Sequence, residues 1–225
     1  MTSYNNNPEF KKKAIEAAIR HRDMDMLMSG TYGNIDDGFK GCSIGCDAFD
    51  ITGGIAGDPH KTTADYFGFP LWLERLRDSI FEGLGKADRS NWHIDIKKSI
   101  PIGMNYPDFD LVKKDFLIWL MEENIKVVES LDIERVLKGI VLSSIYGVIE
   151  ALKAGEGMDA AKNSAMVAID AVMSVKSLSS TFVRAASIAI NEINEDYVRD
   201  ASDLSSSSHK KKSDKLIRLF KEFNK

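Results

Sequence analysis

The chain has 225 residues, of which 44% are hydrophobic and 28% charged, and its formal net charge is −4. Such a composition suits a folded globular protein and argues against wholesale disorder, and the charge gives no global reason to expect nucleic-acid binding. No apolar run approaches the roughly 18–20 residues that cross a bilayer, and Met-Thr-Ser-Tyr-Asn-Asn-Asn-Pro at the start lacks the basic and apolar regions of an export signal, so the two cysteines are expected as reduced thiols in a cytoplasm.

The first predicted helix begins after Pro8 and runs to about Met28, with Ser29-Gly30 as its stop. Its polar middle, Arg20 to Asp25, reads as a solvated face with local ion pairs. A glycine-rich segment near residues 30–58 follows and holds 8 of the 16 glycines. Its turn signals, Asp36-Asp37-Gly38 and Thr52-Gly53-Gly54, point to short irregular structure.

Helices resume near Lys61, and Gly68 breaks the next one. Pro70 suits the first turn of a helix over Leu71 to Leu84, whose stripe is Leu73, Leu76, Ile80, Phe81 and Leu84. On the same helix Glu74, Asp78 and Glu82 recur at i, i+4 and i+8, and the neighbouring Arg75 and Arg77 make a solvated, paired face the expectation. Further helices are predicted over Asp88 to Ser99, from Pro107-Asp108 with Leu111, Val112, Phe116, Trp119 and Leu120 buried, and from Asp132 to Leu152 with an apolar set that includes Val136.

Residues 158–200 are rich in alanine and read as two closely packed helices. Ser205 to Ser208 is the expected flexible link. Residues 209–225 form a basic amphipathic helix with Leu216, Leu219, Phe220 and Phe223 in one stripe, expected to dock on the body. The predicted fold is therefore all-α, about eight helices in a multi-helix bundle, with one helical domain over 1–204 and the C-terminal helix appended.

Both cysteines fall in Gly41-Cys42-Ser43-Ile44-Gly45-Cys46. If that turn is helical, the Cβ atoms lie too far apart for a disulfide. Asp47, Asp50 or His60 could complete a zinc set, yet the spacing is Cys-x-x-x-Cys and no second pair exists, so neither a metal nor another cofactor is expected. A nucleophilic cysteine would pair Cys46 with a base such as His60. Backbone amides of the glycine-rich loop, with Lys40 or Lys61 nearby, could instead hold a nucleotide or similar anion. The plainest account is that the glycines allow close backbone approach while Cys42, Ile44 and Cys46 fill a small core. The candidate binding residues are Lys40, Gly41, Cys42, Ser43, Gly45, Cys46, His60 and Lys61, and no catalytic residue is assigned.

Three segments carry a resemblance: Gly41 to Cys46; Gly68-Phe69-Pro70-Leu71-Trp72 through Ile80-Phe81-Glu82-Gly83-Leu84; and Ile100-Pro101-Ile102-Gly103. Together they resemble a family of uncharacterised phage and prophage proteins with a Gly-Cys-x-Val/Ile-Gly-Cys motif, an Ile-Phe-Glu-Gly-Leu helix end and an Ile-Pro-Val-Gly segment. Ser213-Asp214-Lys215-Leu216-Ile217 through Phe220 resembles that family's last helix. The chain departs from the pattern in a longer insert at Ile51 to Pro59 and a less alanine-rich middle. The resemblance carries over no catalytic residue. It implies a viral accessory protein in a bacterial host cytoplasm, which shifts weight from enzyme to binder. The expected partner is a host protein or a small anionic ligand, nucleic acid being left to the basic C-terminal helix alone, and a homo-oligomer is among the outcomes the sequence allows.

Overall fold

The computed structural model describes residues 1–35, 38–54, 57–130, 132, 135–155 and 206–223. A 3-10 turn at Ser3–Asn6 leads into α1 (Pro8–Asp23), α2 (Ser43–Thr52), α3 (Pro59–Phe67), α4 (Leu71–Gly83), α5 (Lys86–Ser99), α6 (Tyr106–Ser130), α7 (Arg135–Ala154) and α8 (Ser206–Phe223). The fold is all-α, with eight α-helices and no strand among the described residues. Two isolated backbone bridges, Leu27 with Gly41 and Asn34 with Lys40, organise the glycine-rich segment ahead of α2.

Local chemistry sets the helix ends. The Asn7 Oδ1 accepts from the amides of Glu9 and Phe10 at 2.9 and 3.2 Å and starts α1 at Pro8. That helix stops at Asp23 rather than near Met28, because Asp25 takes a left-handed φ of 53°. The chain beyond it pairs with Gly41, through Gly41 N to Met26 O at 2.9 Å and Met28 N to Gly41 O at 2.8 Å. Asp58 caps α3 through Lys61 N at 3.0 Å.

The chain divides into two compact units, Met1–Val112 with Arg199–Lys225, and Lys113–Val198. In the first, Tyr4, Phe69, Leu73, Ile80, Phe81, Trp92, Phe109 and Phe220 form a buried core. Ser3 clamps the Ile100–Gly103 connection: its Oγ donates to Pro101 O at 2.6 Å and accepts from Met104 N at 2.8 Å. The stripe of α8 buries Leu216, Leu219 and Phe220 against α4 and α5, and Phe220 meets Phe109 edge-on at 6.1 Å. Helices α4 and α8 approach so closely that a Cβ on Gly83 would lie 2.2 Å from the His209 ring. Ser206 to Ser208, read from composition as a link, make the first turn of α8.

In the second unit the buried positions are Phe116, Leu117, Leu120, Met121 and Val128 on α6, and Val141, Ile145, Val148, Ile149 and Leu152 on α7. Not every expected core residue is buried: Leu111 is 50% exposed, Val136 65% and Phe223 39%, and Leu76 and Trp119 are only partly covered. The buried face of α6 repeats through Phe109, Val112, Phe116 and Leu120, which turns Leu111 away. Val136 lies five positions before Val141, off the α7 stripe. The two small-residue helices expected over 158–200 lie outside the described residues. Among the described residues no helix is long and apolar enough to cross a membrane.

Candidate functional site

The polar chemistry of the first unit converges on the start of α2. Cys42 caps this helix, its Sγ accepting from Gly45 N at 3.4 Å. The segment from Gly41 to Ala48 is buried throughout. Here the glycines answer a steric demand: a Cβ on Gly45 would sit 2.0 Å from Tyr32 O, and one on Gly41 2.9 Å from the same oxygen. The backbone of Tyr32 thus lies directly on the first turn of α2. Both cysteines are free thiols and both are buried. Burial pushes the Cys42 thiol well above its ordinary value, and pushes that of Cys46 up to about 12.

One face of α2 enters a buried charged network. Asp47 accepts from Lys97 Nζ on α5 and from an Arg77 nitrogen on α4 at 3.1 Å. Arg77 also donates to both oxygens of Glu74, at 2.7 and 2.9 Å, and Thr63 Oγ1 donates to Glu74 at 2.8 Å. All four charged groups are buried, and two acids face two bases, so the cluster is internally neutral. Burial alone would raise the Asp47 carboxyl, but Lys97 and Arg77 hold it well below the usual carboxylate range. Glu74 therefore belongs to a buried network and not to the solvated face expected from its spacing.

A second chain of contacts runs outward from Ser43. Its Oγ lies 2.7 Å from His93 Nδ1, His93 Nε2 lies 3.0 Å from His21 Nδ1, and His21 Nε2 lies 2.8 Å from Asp50 Oδ2. Arg20 also pairs with that oxygen, at 2.6 Å. His93 Nε2 also lies 3.4 Å from Lys97 Nζ, which joins this chain to the charged network. Burial, and next to it the Lys97 charge, hold His93 well below its ordinary value, so it stays neutral. The order hydroxyl, imidazole, imidazole, carboxylate resembles an activated nucleophile. Ser43, His93 and His21 are nevertheless fully buried, so the hydroxyl faces protein and not substrate. His21, expected on a solvated face, is an interior residue.

The other side of the α2 terminus meets α4 at a separate acidic group. One ligand-type atom from each of Cys42, Asp78 and Glu82 lies within 4.8 Å of the other two. Asp78 Oδ2 accepts from Tyr32 Oη at 3.1 Å and lies 3.1 Å from His60 Nε2. Glu82 Oε2 accepts from Gly30 N at 2.8 Å. Burial pushes the Glu82 carboxyl up; the Gly30 amide opposes that push and the Asp78 charge adds to it.

The expected site residues thus separate. Cys42, Ser43, Gly45 and Cys46 are interior residues of the α2 turn. His60 joins Asp78, whereas the Cys46 thiol donates to Gly41 O at 3.4 Å, so the structure does not pair Cys46 with His60. Lys40 Nζ pairs with Asp25 at 3.2 Å and Lys61 with Asp65 at 2.6 Å, both at the surface. The Gly41 amide bonds to Met26 O and the Gly45 amide to Cys42 Sγ. Sequence reasoning met Asp47 only as a possible zinc donor and Arg77 only as a surface partner, and it missed Lys97, because nothing local distinguishes these residues from solvated charges. Comparison with protein-family models, curated proteins and solved structures finds no match to this chain.

Proposed function

We propose that this is a phage-encoded accessory protein that acts in the bacterial cytoplasm by binding a host protein, without chemistry of its own, and so inhibits a host defence or metabolic process. The origin rests on the resemblance of the Gly41–Cys46, Gly68–Leu84 and Ile100–Gly103 segments. One observation carries the binding mode: the glycine-rich segment uses its thiols, its Ser43 hydroxyl and the Gly41 and Gly45 amides internally, while Ile35 within it and Met24 ahead of it face outward at 62% and 64% exposure. Lys40 braces the chain beside each of them, its backbone pairing with Asn34 and its ammonium with Asp25. Exposed apolar side chains on a braced loop suit a macromolecular contact. A small anion would need the loop amides and lysines that are already engaged.

The test places a photo-crosslinking residue at Ile35 and captures partners from bacterial lysate, alongside a Met24→Asp/Ile35→Asp variant and a surface control at Lys126. The same host protein, captured through position 35, absent with the control and lost in the double variant, supports the proposal. Equal capture from both positions, or capture that survives the double variant, overturns it.

A further inference from the structure

We propose that Cys42, Asp78 and Glu82 form a binding site for a zinc-type divalent cation where the α2 terminus meets α4. The three donor atoms already converge within 4.8 Å. Asp78 is 7% exposed, its Oδ2 is engaged by Tyr32 and His60, and its Oδ1 is buried with no hydrogen-bond partner but the adjacent Cys42 thiol. A buried carboxylate oxygen in that condition is costly unless something positive meets it. Among the described residues, neither Asp78 nor Glu82 forms an ion pair with a lysine or arginine; His60 is the one ion-pair partner of Asp78. Glu82 uses Oε2 for the Gly30 amide, which leaves Oε1.

The contrast with the neighbouring group is instructive. His21, Asp47 and His93 are equally close together, but the Lys97 ammonium and the Arg77 guanidinium already bind Asp47 there. Among the described residues no lysine or arginine pairs with the Cys42 group, the nearby Arg89 hydrogen-bonding to Glu82 only at its backbone oxygen, at 3.4 Å. The donor set selects the ion: a thiolate with two carboxylates suits zinc better than magnesium or calcium, which favour all-oxygen shells. Metal binding displaces the Cys42 proton to solvent, and the resulting thiolate keeps the Gly45 amide at the start of α2, where the helix dipole favours negative charge. Tyr32 and His60 orient Asp78 from behind. The half-buried Glu82 opens the site to solvent, which leaves a fourth position for water or a ligand atom. The bound ion would tie the start of α2 to α4. This inference does not depend on the host-protein proposal.

Cobalt(II) titration of the full-length, chelator-treated chain tests it. Expected is a sulfur-to-cobalt charge-transfer band that saturates at a single equivalent and is displaced by zinc. Cys42→Ser abolishes the band and Cys46→Ser keeps it. Glu82→Gln, at the half-buried rim where folding tolerates the change, weakens zinc by about tenfold or more in a chromogenic competition. Absence of the band from the native chain, its persistence in Cys42→Ser, or unchanged zinc affinity in Glu82→Gln overturns the site. If Cys42→Ser misfolds, the Glu82→Gln comparison decides between the same two outcomes.

Discussion

Replacing Asp47 with Asn keeps the side chain's shape and removes the charge that Arg77 and Lys97 share. Arg77 retains Glu74 at 2.7 Å, whereas Lys97 loses its one ion-pair partner among the described residues. At the 3.1 Å separation of Arg77 and Asp47, the Coulomb attraction is about 5 kcal/mol for an effective dielectric near 20. The amide oxygen still accepts one hydrogen bond, so the net cost should fall at about 3–5 kcal/mol, as for other broken buried pairs. That is a large share of the roughly 5–15 kcal/mol that holds a domain folded. Urea unfolding at pH 7 measures it, with Trp fluorescence followed in a Trp119→Phe background so that Trp72 and Trp92 report on their own unit. A change below about 0.5 kcal/mol would refute the account, because surface charges behave that way. Combining Asp47→Asn with Lys97→Met should recover part of the loss, since the stranded ammonium is gone. Strict additivity of the two single changes would show that the cost lies elsewhere.

Acid should destabilise the first unit in two stages. His93 is held below its ordinary value in the folded state, so only the unfolded chain takes up its proton as pH falls below about 6.5, and stability declines from there. The depressed Asp47 carboxyl adds a further loss below about pH 4. A urea midpoint that drops between pH 7.5 and 5, with a flatter profile in His93→Gln, is the expected result; equal slopes in both proteins would count against it. Gly45→Ala places a methyl 2.0 Å from the Tyr32 carbonyl and should cost about 1–3 kcal/mol, read as a lowered Tm; an unchanged Tm means that Tyr32 does not lie on α2. Both thiols should resist a disulfide reagent in the native, metal-free protein at pH 8 and react fully in guanidinium, given their burial and the Cys46 value near 12. Fast native reaction at either cysteine contradicts that packing.

Periodicity made the apolar skeleton legible. Of the α4 stripe, Leu73, Ile80, Phe81 and Leu84 are buried as the spacing demands and Leu76 is partly covered, and Pro70, Gly68 and Pro8 mark real helix ends. The charged residues of the same helix were not legible. Glu74, Arg77 and Asp78 occupy positions that a helix exposes when it stands alone, and their burial comes from partners brought in by the fold. Lys97 and Asp47, fifty residues apart, share no local pattern, and His21 meets His93 across a separation of 72. The glycines of the Gly41–Cys46 turn announced a close backbone contact, but Tyr32 as the other party is a tertiary fact. Metal spacing misled in a similar way: it directs attention to Cys42 with Cys46, whereas the structure turns Cys42 toward α4 and Cys46 toward the Met26 and Gly41 carbonyls.

The carboxylates of α4 locate the boundary between scaffold and site. Glu74, Asp78 and Glu82 follow at successive turns: Glu74 meets Thr63 of α3 and Arg77, while Asp78 and Glu82 meet the loop before α2. Glu74 is matched by Arg77 and Thr63 within the protein, so its charge contributes to folding and leaves nothing for a ligand. One turn on, Asp78 has His60, Tyr32 and the Cys42 thiol but no lysine or arginine among the described residues, and a further turn on, Glu82 has a backbone amide. Compensation therefore declines along the helix as exposure rises. Full pairing is expected where no ligand can reach, because an uncompensated interior charge destabilises the fold. Incomplete pairing at the half-buried end, beside a thiol that caps a helix, is where an added cation gains most. Two stretches far apart in sequence meet here: the cap of α2 supplies Cys42, and α4 supplies both Asp78 and Glu82.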